Sequence, residues 1–177
     1  MQRWNKAMPC DGASRCYEPI TDEHLQRLAQ LVLPVFEGLF DRRPDTSGRY
    51  RGRLLMLALC QGAAQHRVDG RHGVKDLDVW GFFRPHPGGR FPVRWRKTCD
   101  FGPSALGNHP DDAGYTGRRI DVLGRSVEVE AGESGAGDVR RYLAGARTRT
   151  AWHLAQRPVI GLYPAPLFGT QVWPVGP

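Results

Sequence analysis

Three aspartates are the residues of this chain whose types and spacing could do chemistry. Asp76 and Asp78 stand two apart in "GVKDLDVWGFF", at the head of an apolar run, and Asp121 lies inside "RRIDVLGRSVEVE", forty-three residues after Asp78. On an extended strand, residues i and i+2 project to one face, about 6.6 Å apart at roughly 3.3 Å per residue. Two carboxylates held that close repel, and the neighbouring Trp80, Phe82 and Phe83 raise the cost of keeping both charged. A divalent cation removes the conflict: Mg²⁺ takes one or two protein carboxylates and completes its shell with phosphate oxygens and water. If Asp121 approached from a neighbouring strand, three carboxylates would suffice for two ions about 3.5 to 4 Å apart, the arrangement that stabilises attacking and leaving oxygens in phosphoryl chemistry. The competing reading is an exposed strand start whose aspartates pair with Lys75, Arg71 or another arginine.

Such a site needs strands beneath it. "DLDVWGFF" reads as one, with Val, Trp and two Phe supplying β propensity. "RRIDVLGRSVEVE" reads as a second strand or a hairpin, bounded by Gly117 and Gly132 and turning at Gly124. Upstream, "TDEHLQRLAQLVLPVFEGLF" spaces Leu25, Leu28, Leu31, Val32, Val35, Phe36 and Leu39 for an amphipathic helix, with Thr21 as N-cap and Pro34 as a point of kinking. "DRRPDTSGRYRG" reads as a loop. "RLLMLALCQGAA" fits a buried helix, which its Leu, Met and Ala favour, or a strand that turns into a helix near Gly62. Residues 84–117, rich in Gly, Pro and Arg, predict a long, extended, surface-lying insertion. After the flexible "AGESGAGD", Asp138 is the expected N-cap of a helix that stops before Pro158, and the Pro-rich end carries short β-like pieces. The implied fold class is α+β: a small mixed sheet with helices packed against it, as a tail over 1–19 and a single domain over 20–177.

Composition narrows the function. With 177 residues and 40% hydrophobic content the chain can build a core of its own, and no stretch approaches the roughly 20 apolar residues of a membrane span. No secretory leader pattern opens the sequence, so a cytoplasmic location and no membrane partner are expected. Cys10, Cys16, Cys60 and Cys99 are too few and scattered for a disulfide scaffold, and the six-residue step from Cys10 to Cys16 is wide for a zinc knuckle. The net charge of +7 concentrates in two segments, eight basic against four acidic residues over 84–125 and five against one over 138–157. A basic surface favours nucleotides or nucleic acid. Phe91 and Trp95 of "RFPVRWRKTCDF" read first as cover for the core, with base stacking as the alternative.

In order and spacing these pieces resemble the nucleotidyltransferase superfamily, the DNA polymerase beta-like fold. The family's pattern is an apolar segment, a Gly followed by Gly or Ser, a helix or loop, a strand bearing Asp-x-Asp or Asp-x-Glu, and a later strand bearing a third Asp. Here it runs as "LALCQGAA", then "KDLDVW" fourteen residues after Gly62, then "RRIDVL", over about residues 50–125. The resemblance implies that Asp76 and Asp78 bind Mg²⁺ (or Mn²⁺) ions carrying a nucleoside triphosphate. Asp121 would complete the catalytic metal site and help activate an acceptor hydroxyl on a nucleic acid or protein. It also implies a phosphate cradle at Gly62 and Ala63, with Lys75 beside it and Arg118, Arg119, Arg140 and Arg141 as further phosphate contacts. Ala63 stands where the family carries Gly or Ser and cannot donate a hydroxyl. The alternatives are a non-catalytic nucleotide- or nucleic-acid-binding protein of the same fold, and a metal-dependent nuclease.

Overall fold

The structure is a computed structural model that describes residues 15–92 and 95–174. Among these residues it is α+β, with one six-stranded mixed sheet and five α-helices. In chain order the elements are α1 (Asp22–Arg42), α2 (Pro44–Tyr50), β1 (Leu54–Cys60), α3 (Gln61–Asp69), β2 (Leu77–Phe83), β3 (Arg96–Asp100), β4 (Arg119–Ser126), α4 (Gly135–Gly145), α5 (Arg149–Ala155), β5 (Val159–Tyr163) and β6 (Gln171–Trp173), with a short 3₁₀ turn at Ala165–Leu167. The strands lie in the order β3-β4-β2-β1-β5-β6, and every neighbouring pair is antiparallel except β2 and β4.

Alternation along each strand divides the core into two layers. Leu57, Leu59, Leu77, Val79, Phe83, Ile120 and Val122 face α1, whose Leu25, Leu28, Val32 and Phe36 all lie buried against them. Met56, Ala58, Cys60 and Phe82 face the other way, onto Val139 and Leu143 of α4 and Leu154 of α5. The helix α1 starts where expected: Thr21 caps it, accepting from the His24 N–H, while the His24 ring accepts from the Thr21 N–H. It continues through Pro34 as one element.

Several sequence expectations are corrected here. The apolar run 54–60 takes the second of the two readings open to it, a strand that turns into a helix at Gln61, because both its faces are buried; that burial overrides the helical leaning of Leu, Met and Ala. Gly124 makes no turn: it sits in β4 opposite Gly81, and its lack of a side chain admits the ring of Phe91. Phe91 stacks on Phe83 with centroids 4.6 Å apart. "DRRPDTSGRYRG" contains α2, with Pro44 at its first turn, where a missing N–H costs nothing. The helix expected from Asp138 is two helices, and the N-cap of the first is Ser134, accepting from Gly137 N–H. Buried Asp138 instead pairs with Arg141 at 2.5 Å and accepts from Glu130 N–H at 3.0 Å.

Residues 84–117 are not a surface-lying loop. They supply the edge strand β3, with Arg96 and Lys97 exposed on it, and bury Phe91, Phe101 and Leu106. Asp100 ties the segment down by accepting from the N–H groups of Gly102, Thr116 and Gly117, and these bonds hold its carboxyl down at about 2 although burial pushes the other way. Cys16 is buried and pairs as an isolated bridge with Val74, so ordered packing begins ahead of residue 20; the remaining tail, 1–14, lies outside the described residues.

Gly124 offers a direct test of this register. An alanine methyl there has no room beside the Phe91 ring, so Gly124→Ala should cost about 1–3 kcal/mol, the usual penalty for overpacking a core. Urea denaturation checks it; a turn at this position would leave stability almost unchanged.

Candidate functional site

Parallel pairing of β2 with β4 sets Asp78 directly opposite Asp121. The two therefore share a sheet face, and Asp76 precedes β2 just beyond them. The three aspartates predicted from sequence are thus brought together. A fourth acid, Asp112, joins them from the segment that leads into β4.

Two arginines answer this accumulation of negative charge. Arg119, two residues before Asp121 on β4, places its Nη2 3.1 Å from Asp76 Oδ2, its Nη1 2.5 Å from Asp112 Oδ1 and its Nε 3.3 Å from Asp121 Oδ1. Arg96, on β3, pairs with the other oxygen of Asp121. Burial acts to pull the Arg119 pKa down, but Asp121, Asp112 and Asp76 outweigh it and the value is raised. Buried Asp121 Oδ1 and Asp112 Oδ2 nevertheless accept no hydrogen bond from the described residues.

Asp78 is treated differently. Among the described residues no hydrogen-bond donor or ion-pair partner reaches its carboxylate, and burial, followed by the charges of Asp76 and Asp121, pushes its pKa up to about 7. A cation bound to this carboxyl would displace its proton to solvent. Among the described residues no three His, Cys, Asp or Glu side chains form a ready cage for an ion; two of the three predicted carboxylates are held by guanidinium groups instead.

Asp76 and Asp78 open onto a cavity of about 350 Å³ whose other walls carry Arg15, Lys75, Arg157, Gln61 and Gly62. Gly62 is in the first turn of α3, a helix whose start has no side-chain cap and whose first residue, Gln61, adopts φ +57°. Unpaired N–H groups at such a start favour an anion. A Cβ at Gly62 would approach Arg157 Nη1 to 3.3 Å, so the glycine lets this guanidinium come close to the helix start. Ala63 points away and is fully buried in the core.

The other predicted phosphate contacts lie elsewhere. Arg118 is buried and donates to the Lys75 carbonyl, Arg119 holds the carboxylates, Arg140 donates to the Val172 carbonyl, and Arg141 pairs with Asp138 and Glu130; none of the four lines the cavity. Arg15 and Arg157, which do, carry no local motif: they reach the site through the Cys16–Val74 bridge and from the end of α5, contacts that spacing does not announce. Asp112 was equally hidden, seven residues ahead of β4 in a stretch that reads as loop. Cys60 and Cys99 are free thiols, and the Cys10–Cys16 zinc possibility falls partly outside the described residues. Among the described residues no helix is long and apolar enough to cross a membrane. The chain matches no protein family, no curated protein and no solved structure.

The raised Asp78 pKa fixes a pH dependence. Between the ordinary value of 3.8 and about 7 the folded protein holds a proton that the unfolded chain releases, so stability should fall as pH rises through that window and level off above it. Asp78→Asn should flatten this part of the curve. Urea midpoints measured from pH 4 to 8 check it, and parallel curves for the two proteins would refute the assignment.

Proposed function

We propose that this protein is a Mg²⁺-dependent nucleotidyltransferase of the DNA polymerase beta-like kind, moving a nucleoside monophosphate from a nucleoside triphosphate to an acceptor hydroxyl. The observation that carries the reading is the 350 Å³ cavity in which Asp76 and Asp78 face Arg15, Lys75 and Arg157 beside the open start of α3. Among the described residues no ion pair joins these two carboxylates to Arg15, Lys75 or Arg157, which leaves both sides of the cavity for a ligand. A metal-bound triphosphate satisfies both, with the cation against the aspartates and phosphate oxygens against the basic wall.

The donor set fits the ion. Asp78 has no partner among the described residues and a proton it holds weakly near neutrality, and Asp76 spends one oxygen on Arg119. These two residues would hold the cation; a bound Mg²⁺ would neutralise charge on the phosphates and on the departing pyrophosphate. Arg157 and the N–H groups at Gly62 bind phosphate oxygens, a role that Ala63, buried in the core, does not share. Lys75, exposed at the cavity mouth, adds a point charge. In the transfer itself the acceptor oxygen forms a bond to the α-phosphorus while the bond from that phosphorus to the β-phosphate bridging oxygen breaks, releasing pyrophosphate. The hydroxyl proton passes to the Asp121 carboxylate, the part that the resemblance gives this residue, although its oxygens lie buried against Arg96 and Arg119. Arg96 and Arg119 orient that carboxylate.

A second reading is non-catalytic nucleotide binding in the same cavity. What favours it is the double hold of Arg96 and Arg119 on Asp121, which leaves that residue less able to join a metal site.

One assay separates the two. The protein is incubated with each labelled nucleoside triphosphate, Mg²⁺ or Mn²⁺ and pooled RNA, DNA or protein, beside an Asp76→Ala/Asp78→Ala control. Label transfer that disappears in the control supports the transferase. Nucleotide- and metal-dependent thermal stabilisation without transfer supports the binding protein, and nucleic-acid cleavage without transfer would point to the nuclease. In either of the first two cases Arg157→Ala should weaken nucleotide binding by roughly tenfold, the worth of one charge-assisted phosphate contact. The shift of melting temperature with Mn²⁺ should also grow as pH rises toward 7, because the cation displaces the Asp78 proton.

A further inference from the structure

We infer that the groove beside the carboxylates seats a single-stranded nucleic acid, which is the acceptor class for the transfer proposed above. The inference rests on that reading for where the strand's end points, and not for binding itself. The groove begins where the acidic site ends: Trp80 lines both, and Leu123, opposite Trp80, is the next residue on the same face after Asp121. That step is about 6.6 Å along the strand.

Size argues for an extended ligand. The groove encloses about 1180 Å³, beyond the roughly 300–1,000 Å³ usual for small-molecule sites. Its floor is Trp80 on β2 with Leu123 and Arg125 on β4, and one wall comes from α4, which packs over β1, β6 and Phe82 of β2.

Charge and ring faces argue for the chemistry. Of the arginines in the groove, Arg141 is neutralised by Asp138 and Glu130. Arg125 donates only to hydroxyls, to Tyr142 at 2.6 Å and Thr148 at 3.3 Å, so its charge is uncompensated. Arg90 and Arg147 are exposed, with no ion-pair partner among the described residues. These three cations face one unpaired acid, Glu128. Trp80, stacked on Phe82, and Tyr142, with the Arg125 guanidinium 5.6 Å from its ring centre, are half-buried and both line the groove. A basic track interleaved with stacking platforms suits unpaired bases on a phosphate backbone. A duplex hides its base faces, and an acidic peptide would engage the arginines but leave the rings unused.

The test is fluorescence anisotropy with a fluorescein-labelled single-stranded RNA, its DNA counterpart, the corresponding duplex and a poly-glutamate peptide, in EDTA and without nucleotide. A single strand of either sugar should bind most tightly, with affinity falling steeply as salt rises. Arg90→Glu/Arg147→Glu, at two exposed positions, should weaken binding by tenfold or more and reduce the slope against log salt by about two, with an unchanged melting temperature. Asp78→Asn should retain strand binding while losing metal-dependent nucleotide binding. Absence of strand binding, a duplex or peptide bound as tightly as the strand, or indifference to the charge reversal would each overturn the inference. If strand binding alone fails while Mn²⁺-dependent nucleotide binding persists, the transferase reading stands without it.

Discussion

Pairing β2 with β4 in parallel forces Asp78 and Asp121 into one register row, and much of the surrounding structure answers the charge this concentrates. With Asp76 and Asp112, four carboxylates meet two guanidinium groups, those of Arg96 and Arg119. The balance stays negative, and burial first, then this surplus of negative charge, tells on the carboxyl left without a hydrogen-bond or ion-pair partner among the described residues: Asp78 keeps a proton up to about pH 7. Arg15, Lys75 and Arg157, across the cavity, have the complementary excess. Binding a cation and a polyanion together resolves both imbalances at once, which is a stronger argument for a ligand than either half alone.

The segment between β2 and β4 takes on a meaning its composition conceals. It reaches the site twice, once through Arg96 on β3 and once through Asp112, and both touch the network around Arg119 or Asp121. Its anchors are the Asp100 bonds to three backbone N–H groups and the burial of Phe91, Phe101 and Leu106. What reads as an irregular excursion is the scaffold that holds the third aspartate in place.

The legible parts of the sequence were those decided by local pattern. The cap at Thr21 follows from residue type, and the apolar stripe of α1, the β2 strand and the i, i+2 spacing of Asp76 and Asp78 from periodicity of 3.6 or 2, whereas Asp121 joins them only through the pairing of β2 with β4. Failures came where tertiary packing outvoted local preference. Residues 54–60 look helical by type but are buried on both faces of a sheet; Gly124 looks like a turn but makes room for an aromatic ring; Asp138 looks like a cap but is a buried partner for Arg141. The basic half of the site was invisible for a related reason. Arg15, Lys75 and Arg157 are separated by long stretches of chain, and only the fold makes them neighbours; of the three, Lys75 was foreseen because it adjoins the aspartate pair.

The outer strands of the sheet lead to a different matter, the fate of unpaired backbone. β3 is five residues long and exposes Arg96 and Lys97, and the three-residue β6 runs straight into Pro174. A second chain adding a strand at β3 would have to desolvate an ammonium group and the guanidinium that also holds Asp121, and at β6 it would meet a residue without an N–H. The sheet therefore stops at both ends, and Arg96 serves solubility and the carboxylate cluster with one side chain.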